Sequence, residues 1–410
     1  MKVSGFRVVL RNQTRSSVWS KRCELASKWL SVCAIGSIPL STALTSITTS
    51  FFVATWLAAG NYRQRFQHIR WHPLALWALG LFALLAIGVL YSSAAMEEAL
   101  DGLGHYHKLL WIPLFITILH EEAWQYRGYY IFLAAMLLVL VTSYAQLLGL
   151  LPLGPVDQEY TFFKGRIAHS IFMAYTVYLL LHHLWREPGR RLLWLSLIAL
   201  AGYNLFFMVQ GRSGYLVFLA LLMLYMYQRW RWRGLSTSLI AVVAISSFAY
   251  LASPVFKARI DETVSDIRKY QQHESFTPTG LRLEFYANTV TLIAQHPILG
   301  GGTNSFQSEY AAQAAKHQLH ETGNPHSEYL LIATQLGLLG LIVLCMLGYT
   351  QWRLSYRLTT PFRAAAQGML VTMAVGSLFN SLLMDFAEGH FFVCLTGLYY
   401  GSLFVPKKSL

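Results

Sequence analysis

Charged residues are scarce in this sequence. They make up 12% of its 410 residues, whereas hydrophobic residues make up 55%, and the mean hydropathy is +0.42. Soluble domains carry roughly 25% charged residues, so this composition excludes an ordinary soluble protein. Several uncharged runs are long enough to cross the roughly 30 Å hydrocarbon layer of a bilayer as helices. The sequence therefore predicts an all-α polytopic membrane protein with about twelve transmembrane helices.

Cysteines and clustered acids are also scarce. The polar segment 254–325 contains none of the four cysteines, which excludes a disulfide and a cysteine metal site there. It contains no Asp-x-Asp pattern, and its densest acids, Asp261, Glu262 and Asp266, are interleaved with basic residues. That interleaving is typical of a solvated helix face. We therefore expect no metal ion and no other cofactor.

The apolar runs divide the chain into three parts. Nine spans are predicted in 1–253, a partly helical polar loop in 254–325 and three spans in 326–410. Proline 39 interrupts the first run, so the first two runs can also form a kinked or re-entrant hairpin. The predicted spans are 29–44, 45–60, 73–93, 102–119, 128–151, 166–185, 192–210, 213–229, 235–253, 326–352, 363–384 and 390–406.

The excess of basic residues predicts the orientation. Lysine and arginine number 32 against 19 acids, a net charge of +13, and most of them lie at the termini and in alternate short loops. By the positive-inside rule both termini are cytoplasmic and 254–325 lies outside. Because topology accounts for the charge, we expect no nucleic-acid partner.

His326 stands where the polar segment meets an apolar run. Asn324 is a favourable N-cap residue and Pro325 suits the first helical position, which predicts that His326 lies in the first turn of a helix at the membrane boundary. The positive end of a helix dipole disfavours the imidazolium form. His326 is therefore predicted to stay neutral, as a proton acceptor must.

Three arginines are predicted on the same side as this histidine. Arg212 lies in the short turn QGRSG between two spans, Arg282 lies on the amphipathic helix predicted over LRLEFYANTVTLIAQHP, and Arg166 precedes a span. The planar guanidinium group suits two oxygens of a diphosphate. The alternative is an interfacial arginine that reaches lipid phosphates, and for Lys164 that interpretation is favoured.

Two further features belong to this region. The segment HPILGGG is predicted to end a helix at His296 and to turn into a second short helix. The alternative is a glycine-rich phosphate-binding loop, although the pattern matches no P-loop. Asp385 follows a span and is predicted to orient Arg282 or His326, the alternative being that it only marks a helix end.

His326-Ser327, nine residues and then Gly337-x-x-Gly340 resemble the signature of bacterial O-antigen ligases. The resemblance extends more loosely to O-antigen polymerases and protein O-oligosaccharyltransferases. It implies a GT-C-like glycosyltransferase of the bacterial inner membrane whose functional residues are His326, Arg212, Arg282 and Asp385, and whose active site is periplasmic.

The implied reaction transfers O-polysaccharide from undecaprenyl diphosphate to a sugar hydroxyl of lipid A-core. Arg212 and Arg282, with Arg166, would bind the diphosphate, and His326 would either accept the acceptor's proton or orient its hydroxyl. One direct displacement would invert the anomeric configuration without a metal ion. Gly337 and Gly340 would let another helix approach closely.

Two non-enzymatic alternatives remain. A transporter of an anionic lipid or solute would use the basic residues as binding-site gates, although the spans carry few ionisable groups and no internal repeat is visible. A scaffolding membrane protein would account for the composition but not for the histidine and glycine signature.

Overall fold

The computed structural model describes residues 18–154, 159–272, 276–317 and 319–405. All regular structure in these ranges is helical, with sixteen α-helices joined by short 3₁₀ and π segments and no strand. The predicted cytoplasmic termini fall in 1–17 and 406–410, which lie outside the described residues.

The helices follow the apolar runs closely. Their bounds are α1 Val18–Ser37, α2 Thr42–Ala59, α3 Tyr62–Trp71, α4 Pro73–Val89, α5 Met96–Tyr106, α6 Trp111–Ile118, α7 Glu122–Leu147, α8 Arg166–Arg186, α9 Arg191–Tyr203, α10 Arg212–Ala252, α11 Pro254–Gln271, α12 Pro278–Gln295, α13 Ser305–His317, α14 Glu328–Ser355, α15 Phe362–Gly376 and α16 Phe386–Tyr400.

The protein is a polytopic helical membrane protein. In the described residues six helices are long and apolar enough to cross a bilayer, and a seventh span is added if α3 and α4, bent by 87°, count as one. The predicted run 102–119 is not one helix but α5, a 3₁₀ turn and α6. Proline 39 lies in the turn between α1 and α2, which form a helical hairpin.

Helix α10 folds back on itself. Arg231 has φ 56° and ψ −136°, which breaks the helix, and Arg212 and Leu251 line the same cavity although 39 residues separate them. A straight helix would hold them almost 60 Å apart, at about 1.5 Å per residue. The element is therefore two antiparallel spans, as the separate predicted runs 213–229 and 235–253 require.

The centre of the molecule is formed by α8 and α16. Every residue from Ala387 to Tyr400 is buried, and the hydroxyls of Tyr175 on α8 and Tyr399 on α16 hydrogen-bond at 2.9 Å. Because the two helices are anchored in this core, Arg166 and Asp385 at their N-terminal ends occupy fixed positions near the polar segment.

The polar segment is helical too. It contains α11, α12 and α13, and a separate small core joins the last two to α14 through Phe285, Leu292, Phe306, Tyr310 and Leu331. Ser253 caps α11 and Thr277 caps α12 through their side-chain oxygens, which satisfies helix N–H groups that would otherwise lack partners. This layer fixes α12, which carries Arg282, against the beginning of α14.

Candidate active site

Helix α14 is broken at Gly337, and the glycine-rich loop 296–302 fills the break. Gly337 has φ 61°, and a Cβ atom there would lie 2.3 Å from the carbonyl carbon of Ile298. The N–H groups of Gly301 and Gly302 donate to the carbonyls of Thr334 at 2.8 Å and Gln335 at 2.9 Å. Beyond the break, the N–H of Leu338 donates to Pro297 at 2.8 Å. The loop thus satisfies backbone groups that a broken membrane helix leaves unpaired.

This contact corrects the role predicted for the signature glycines. The segment against Gly337 is a loop and not another helix, because the broken α14 can pair its free backbone groups only with an irregular segment. A Cβ on Gly340 would lie 2.4 Å from Cβ of Leu336, within α14 itself. Both glycines therefore serve the break in α14.

The loop is also fixed to the end of α4. The Thr303 N–H donates to Gly88 at 3.1 Å and its hydroxyl to Leu85 at 2.6 Å, while the Ser93 N–H donates to Gly301 at 2.9 Å. The predicted turn after the helix ending near His296 is confirmed, as is the short helix that follows. Because the N–H groups of Gly301 and Gly302 already have carbonyl partners, they do not form a phosphate-binding loop.

His326 lies before α14 and not in its first turn. The helix begins at Glu328, with Ser327 in extended conformation at the N-cap position, so the predicted capping by Asn324 is wrong. The side-chain oxygen of Asn324 instead accepts the His326 N–H at 2.7 Å, a local turn that Asn favours over helix. His326 has φ 56°, a conformation uncommon outside glycine. Such strain is concentrated at functional sites.

The His326 imidazole is half-buried and shifted toward the neutral form. Burial lowers its pKa from the usual 6.5, and the nearby positive charge of Arg282 lowers the pKa further. The lowered pKa agrees with the neutral histidine predicted from the sequence. The causes, however, are burial and the charge of Arg282, and not the dipole of a helix N-terminus. Tyr286 donates its hydroxyl to the His326 carbonyl at 3.1 Å and to that of Leu378 at 2.9 Å, which fixes the backbone that carries the imidazole.

Arg212 and Arg282 line one cavity of about 720 Å³, here called the apolar cavity. Arg212 donates to the hydroxyls of Thr263 at 3.1 Å and Thr279 at 2.9 Å. Burial lowers the Arg282 pKa, and the charges of Arg212 and Arg166 lower the pKa further. No described residue that lines the cavity is acidic. Two guanidinium groups brought together without a carboxylate create a strong preference for an anion.

The rest of the apolar cavity lies between the two halves of α10 and is mostly apolar, with Ser246, Ser247 and Tyr250 among its polar lining residues. Its walls include Leu216, Leu219, Leu251, Phe256, Ile260 and Phe379. Tyr286 lines the same cavity, so the tyrosine that holds His326 also faces this space. The arrangement fits a ligand with a long apolar part and an anionic head.

Arg166 stands apart from this pair. Its guanidinium lies 3.4 Å from the carboxylate of Glu159, which also accepts the Gln210 N–H at 3.0 Å. It acts on Arg282 through charge but does not line the apolar cavity. The structure therefore separates the three predicted arginines into a facing pair and a partly neutralised third.

Asp385 does not orient Arg282 or His326. In the described part of the chain it makes no hydrogen bond or ion pair with either, and it stands at the N-cap position of α16 without a capping hydrogen bond. Lys108 donates to its backbone carbonyl at 2.6 Å. Burial raises the Asp385 pKa, opposed by the charge of Lys108. The reason for the difference is packing, because α16 begins against the 3₁₀ turn that carries Lys108.

Glu328 was missed by the sequence reasoning. Its carboxylate is buried and accepts the N–H groups of Leu383 at 2.8 Å and Met384 at 3.1 Å and the Tyr106 hydroxyl at 3.0 Å. These bonds tie residues 377–385, here called the rim loop, to the start of α14. Phe379 of this loop lines the apolar cavity, and Leu378 accepts from Tyr286. An acid at the head of an apolar run is the signal that could have found it.

The carboxylates of 261–266 are used within the fold. Asp261 accepts the Tyr250 hydroxyl at 2.7 Å, Glu262 pairs with Arg259 at 2.6 Å, and Asp266 accepts the Thr279 N–H at 3.1 Å. In the described residues no group of three or more His, Cys, Asp or Glu side chains is placed to hold a metal ion. Asp266 thereby positions Thr279, a partner of Arg212.

Residues 196–345 match the family model described as O-Antigen ligase. The predicted resemblance to the O-antigen ligase superfamily is confirmed. The match includes Arg212, Arg282, His326 and the broken helix with Gly337, whereas Arg166 and Asp385 lie outside it.

A curated relative gives no more specific function. An uncharacterized protein of Haemophilus influenzae is 29% identical over 117 residues, a match that covers 27% of this chain and 29% of the relative. The chain therefore matches less than a third of that protein's length.

Proposed function

We propose that this protein is an O-antigen ligase, which transfers O-polysaccharide from undecaprenyl diphosphate to a sugar hydroxyl of lipid A-core. The observation that carries the proposal is the facing pair Arg212 and Arg282 at one hydrocarbon cavity, next to a histidine whose pKa is lowered. A lipid-linked diphosphate has the same two parts, an apolar chain and an anionic head.

The two arginines would bind the diphosphate and stabilise its growing charge. When the anomeric carbon separates from the phosphate oxygen, negative charge accumulates on the leaving group, and two fixed guanidinium groups in a poorly solvated site lower the energy of that state. The prenyl chain would lie between the halves of α10. Arg166 would add a longer-range positive field, since Glu159 partly neutralises it.

His326 would act on the acceptor. A sugar hydroxyl attacks the anomeric carbon, the new carbon–oxygen bond forms as the bond to the diphosphate breaks, and the hydroxyl proton passes to the neutral imidazole. One displacement of this kind inverts the anomeric centre and needs no covalent intermediate. The alternative role for His326 is a hydrogen bond that only orients the acceptor hydroxyl.

Asp385 would have an indirect role, in which it helps to hold the rim loop that supports His326. Ser381 of the rim loop donates to the Asn324 side chain at 2.7 Å, and the same oxygen holds the His326 N–H. Lys108 holds the end of that loop at Met384 and Asp385. Asp385 would keep this lysine charged and in place.

The proposed topology has twelve spans, both termini in the cytoplasm and a GT-C-like arrangement in the bacterial inner membrane. Residues 1–253 would carry nine spans, 254–325 the periplasmic loop and 326–410 the last three. Two helices support this topology. Arg166 and Arg186 lie at opposite ends of α8, and Arg212 and Arg229 lie at opposite ends of the first half of α10. The membrane would supply further lipid contacts.

The test is reconstitution of the purified protein with undecaprenyl-diphosphate-linked glycan and lipid A-core. We expect the joined product without a nucleotide and in the presence of EDTA, and roughly 10²–10⁴-fold slower product formation by His326→Ala. A polymerase would instead lengthen the lipid-linked glycan when lipid A-core is omitted, and a transporter would move the lipid without joining anything. Either result would overturn the ligase proposal.

A further inference from the structure

A second charged cavity lies at the other end of the first half of α10. Its volume is about 510 Å³, and Arg186, Arg229, Arg231 and Arg363 line it; it is here called the basic pocket. From Arg212 to Arg231 the first half of α10 rises about 28 Å, at about 1.5 Å per residue. That rise is close to the roughly 30 Å of a bilayer's hydrocarbon core. The basic pocket therefore lies at the membrane face opposite His326.

The charge of the basic pocket is not neutralised by the protein. In the described residues none of the four arginines has an acidic partner within ion-pair distance, and no lining residue is acidic. Arg229 lies over the Trp185 ring at 4.8 Å, and Arg363 donates to the Tyr356 carbonyl at 2.9 Å. Four positive side chains that line one cavity without an acid favour an anion there.

The inner wall of the basic pocket is polar and rigid. The Tyr178 hydroxyl donates to Oε1 of Gln228 at 2.8 Å, Nε2 of Gln228 donates to Gln367 at 2.7 Å, and Nε2 of Gln367 donates to Ser355 at 2.9 Å. His182 lies 3.1 Å from the same Gln228 oxygen. Because this network links α8, α10, α14 and α15, the helices that surround the pocket are held in one arrangement.

We propose that the basic pocket binds the phosphate headgroup of an anionic membrane phospholipid. The pocket lies at the end of membrane helices, where a lipid phosphate resides, and exposed Trp185 marks the interfacial level. Arginine forks bind the phosphodiester oxygens, and basic pockets between spans suit such headgroups. Its cytoplasmic location rests on the proposed topology, but the binding does not depend on the reaction.

The test measures bound lipid on the full-length protein in detergent by native mass spectrometry, with cardiolipin or phosphatidylglycerol against phosphatidylcholine. We compare a pocket variant, Arg186→Gln with Arg229→Gln, Arg231→Gln and Arg363→Gln, with a matched control, Arg63→Gln with Arg70→Gln, Arg233→Gln and Arg353→Gln. The control removes the same charge from exposed residues that do not line the pocket. Each arginine near an anionic headgroup adds to the attraction, so loss of all four should make the pocket variant bind cardiolipin at least about tenfold more weakly.

Several outcomes would overturn the proposal. They are unchanged cardiolipin binding by the pocket variant, an equal loss in the matched control, and displacement of the lipid by millimolar inorganic phosphate, which would assign the pocket to a soluble phosphate. Arg229→Lys keeps the positive charge but loses the planar guanidinium group. It should therefore weaken cardiolipin binding measurably, while the thermal unfolding midpoint without lipid stays unchanged. Since glycan transfer is not the readout, failure of the ligase proposal would leave this test valid.

Discussion

The two arginine-lined cavities occupy opposite ends of the first half of α10 and are built differently. In the apolar cavity Arg212 and Arg282 are half-buried, Arg212 donates to two threonine hydroxyls, and the remaining walls are mostly apolar. In the basic pocket the four arginines are exposed and surround a wall of amides. Desolvation strengthens each charge interaction in the first case, whereas water and salt screen the second. We therefore expect glycan transfer at the apolar cavity and weaker ligand binding in the basic pocket.

Loss of His326 should have the largest effect on turnover. His326→Ala is expected to lower turnover by roughly 10²–10⁴-fold, the usual contribution of a general base, while every variant of the basic pocket leaves turnover within about twofold. His326→Gln should be as inactive as Ala, since the amide accepts a hydrogen bond but is not basic. Rates of glycan transfer in proteoliposomes measure both. Substantial rescue by Gln would reduce His326 to an orienting role.

The pH dependence provides an independent check on His326. A base must be neutral to act, so activity should fall as pH drops through the histidine pKa. Burial and the charge of Arg282 lower that pKa from the usual 6.5, so the loss should occur below pH 6.5. Arg282→Gln removes one of the two causes and should move the midpoint upward. A wild-type midpoint above 6.5 would contradict the environment described here.

Arg212 offers the sharpest contrast with the basic pocket. Arg212→Lys keeps the charge but loses the fork and the two threonine bonds, so transition-state stabilisation should fall by about 2–5 kcal/mol, the cost of disrupting a desolvated charge contact. Arg229→Lys is the matched control, because it makes the same change at the far end of the same helix. Transfer rates at saturating acceptor compare the two. Equal effects of the two substitutions would erase the distinction between the cavities.

Much of this arrangement could be predicted from the sequence, for identifiable reasons. Apolar runs predicted the helices, the predicted topology placed Arg212 and Arg282 on the same side as His326, and the spacing of His326, Gly337 and Gly340 led to the family. The errors concern residues whose hydrogen-bond partners the sequence pattern did not identify, whether near or distant in the chain. Asn324 turned out to hold the His326 N–H locally, and Asp385 turned out to face Lys108, 277 residues away. Local patterns cannot choose among tertiary partners, so the loop that fills the α14 break was invisible as well.

Glu328 tests how far the apolar cavity depends on its rim. One carboxylate oxygen of Glu328 accepts two backbone N–H groups and the other accepts the Tyr106 hydroxyl. In Glu328→Gln an NH₂ group replaces one of these oxygens and cannot accept, so buried donors lose their partner at a cost of about 1–3 kcal/mol. Because Phe379 and Leu378 belong to the rim loop, turnover should fall together with the thermal unfolding midpoint. Glu97→Gln, a change at an exposed acid, is the control. A lower midpoint with unaltered turnover would confine Glu328 to stability.

The smallest expected effect on chemistry comes from substitution of Gly337, and Gly348 in the same helix provides a control. In Gly337→Ala the new Cβ meets the backbone of Ile298 at 2.3 Å, and φ 61° is unfavourable for alanine, a strain of order 1–3 kcal/mol. Gly348→Ala lies in the same helix, where the nearest contact is a leucine methyl at 3.6 Å, and helix propensity should make it neutral or stabilising. Detergent thermal unfolding should therefore separate the two variants by several degrees. His326 and both arginines remain in place in either protein, so residual transfer by Gly337→Ala should exceed that of His326→Ala. Identical unfolding midpoints would show that the glycine loop does not hold the broken helix.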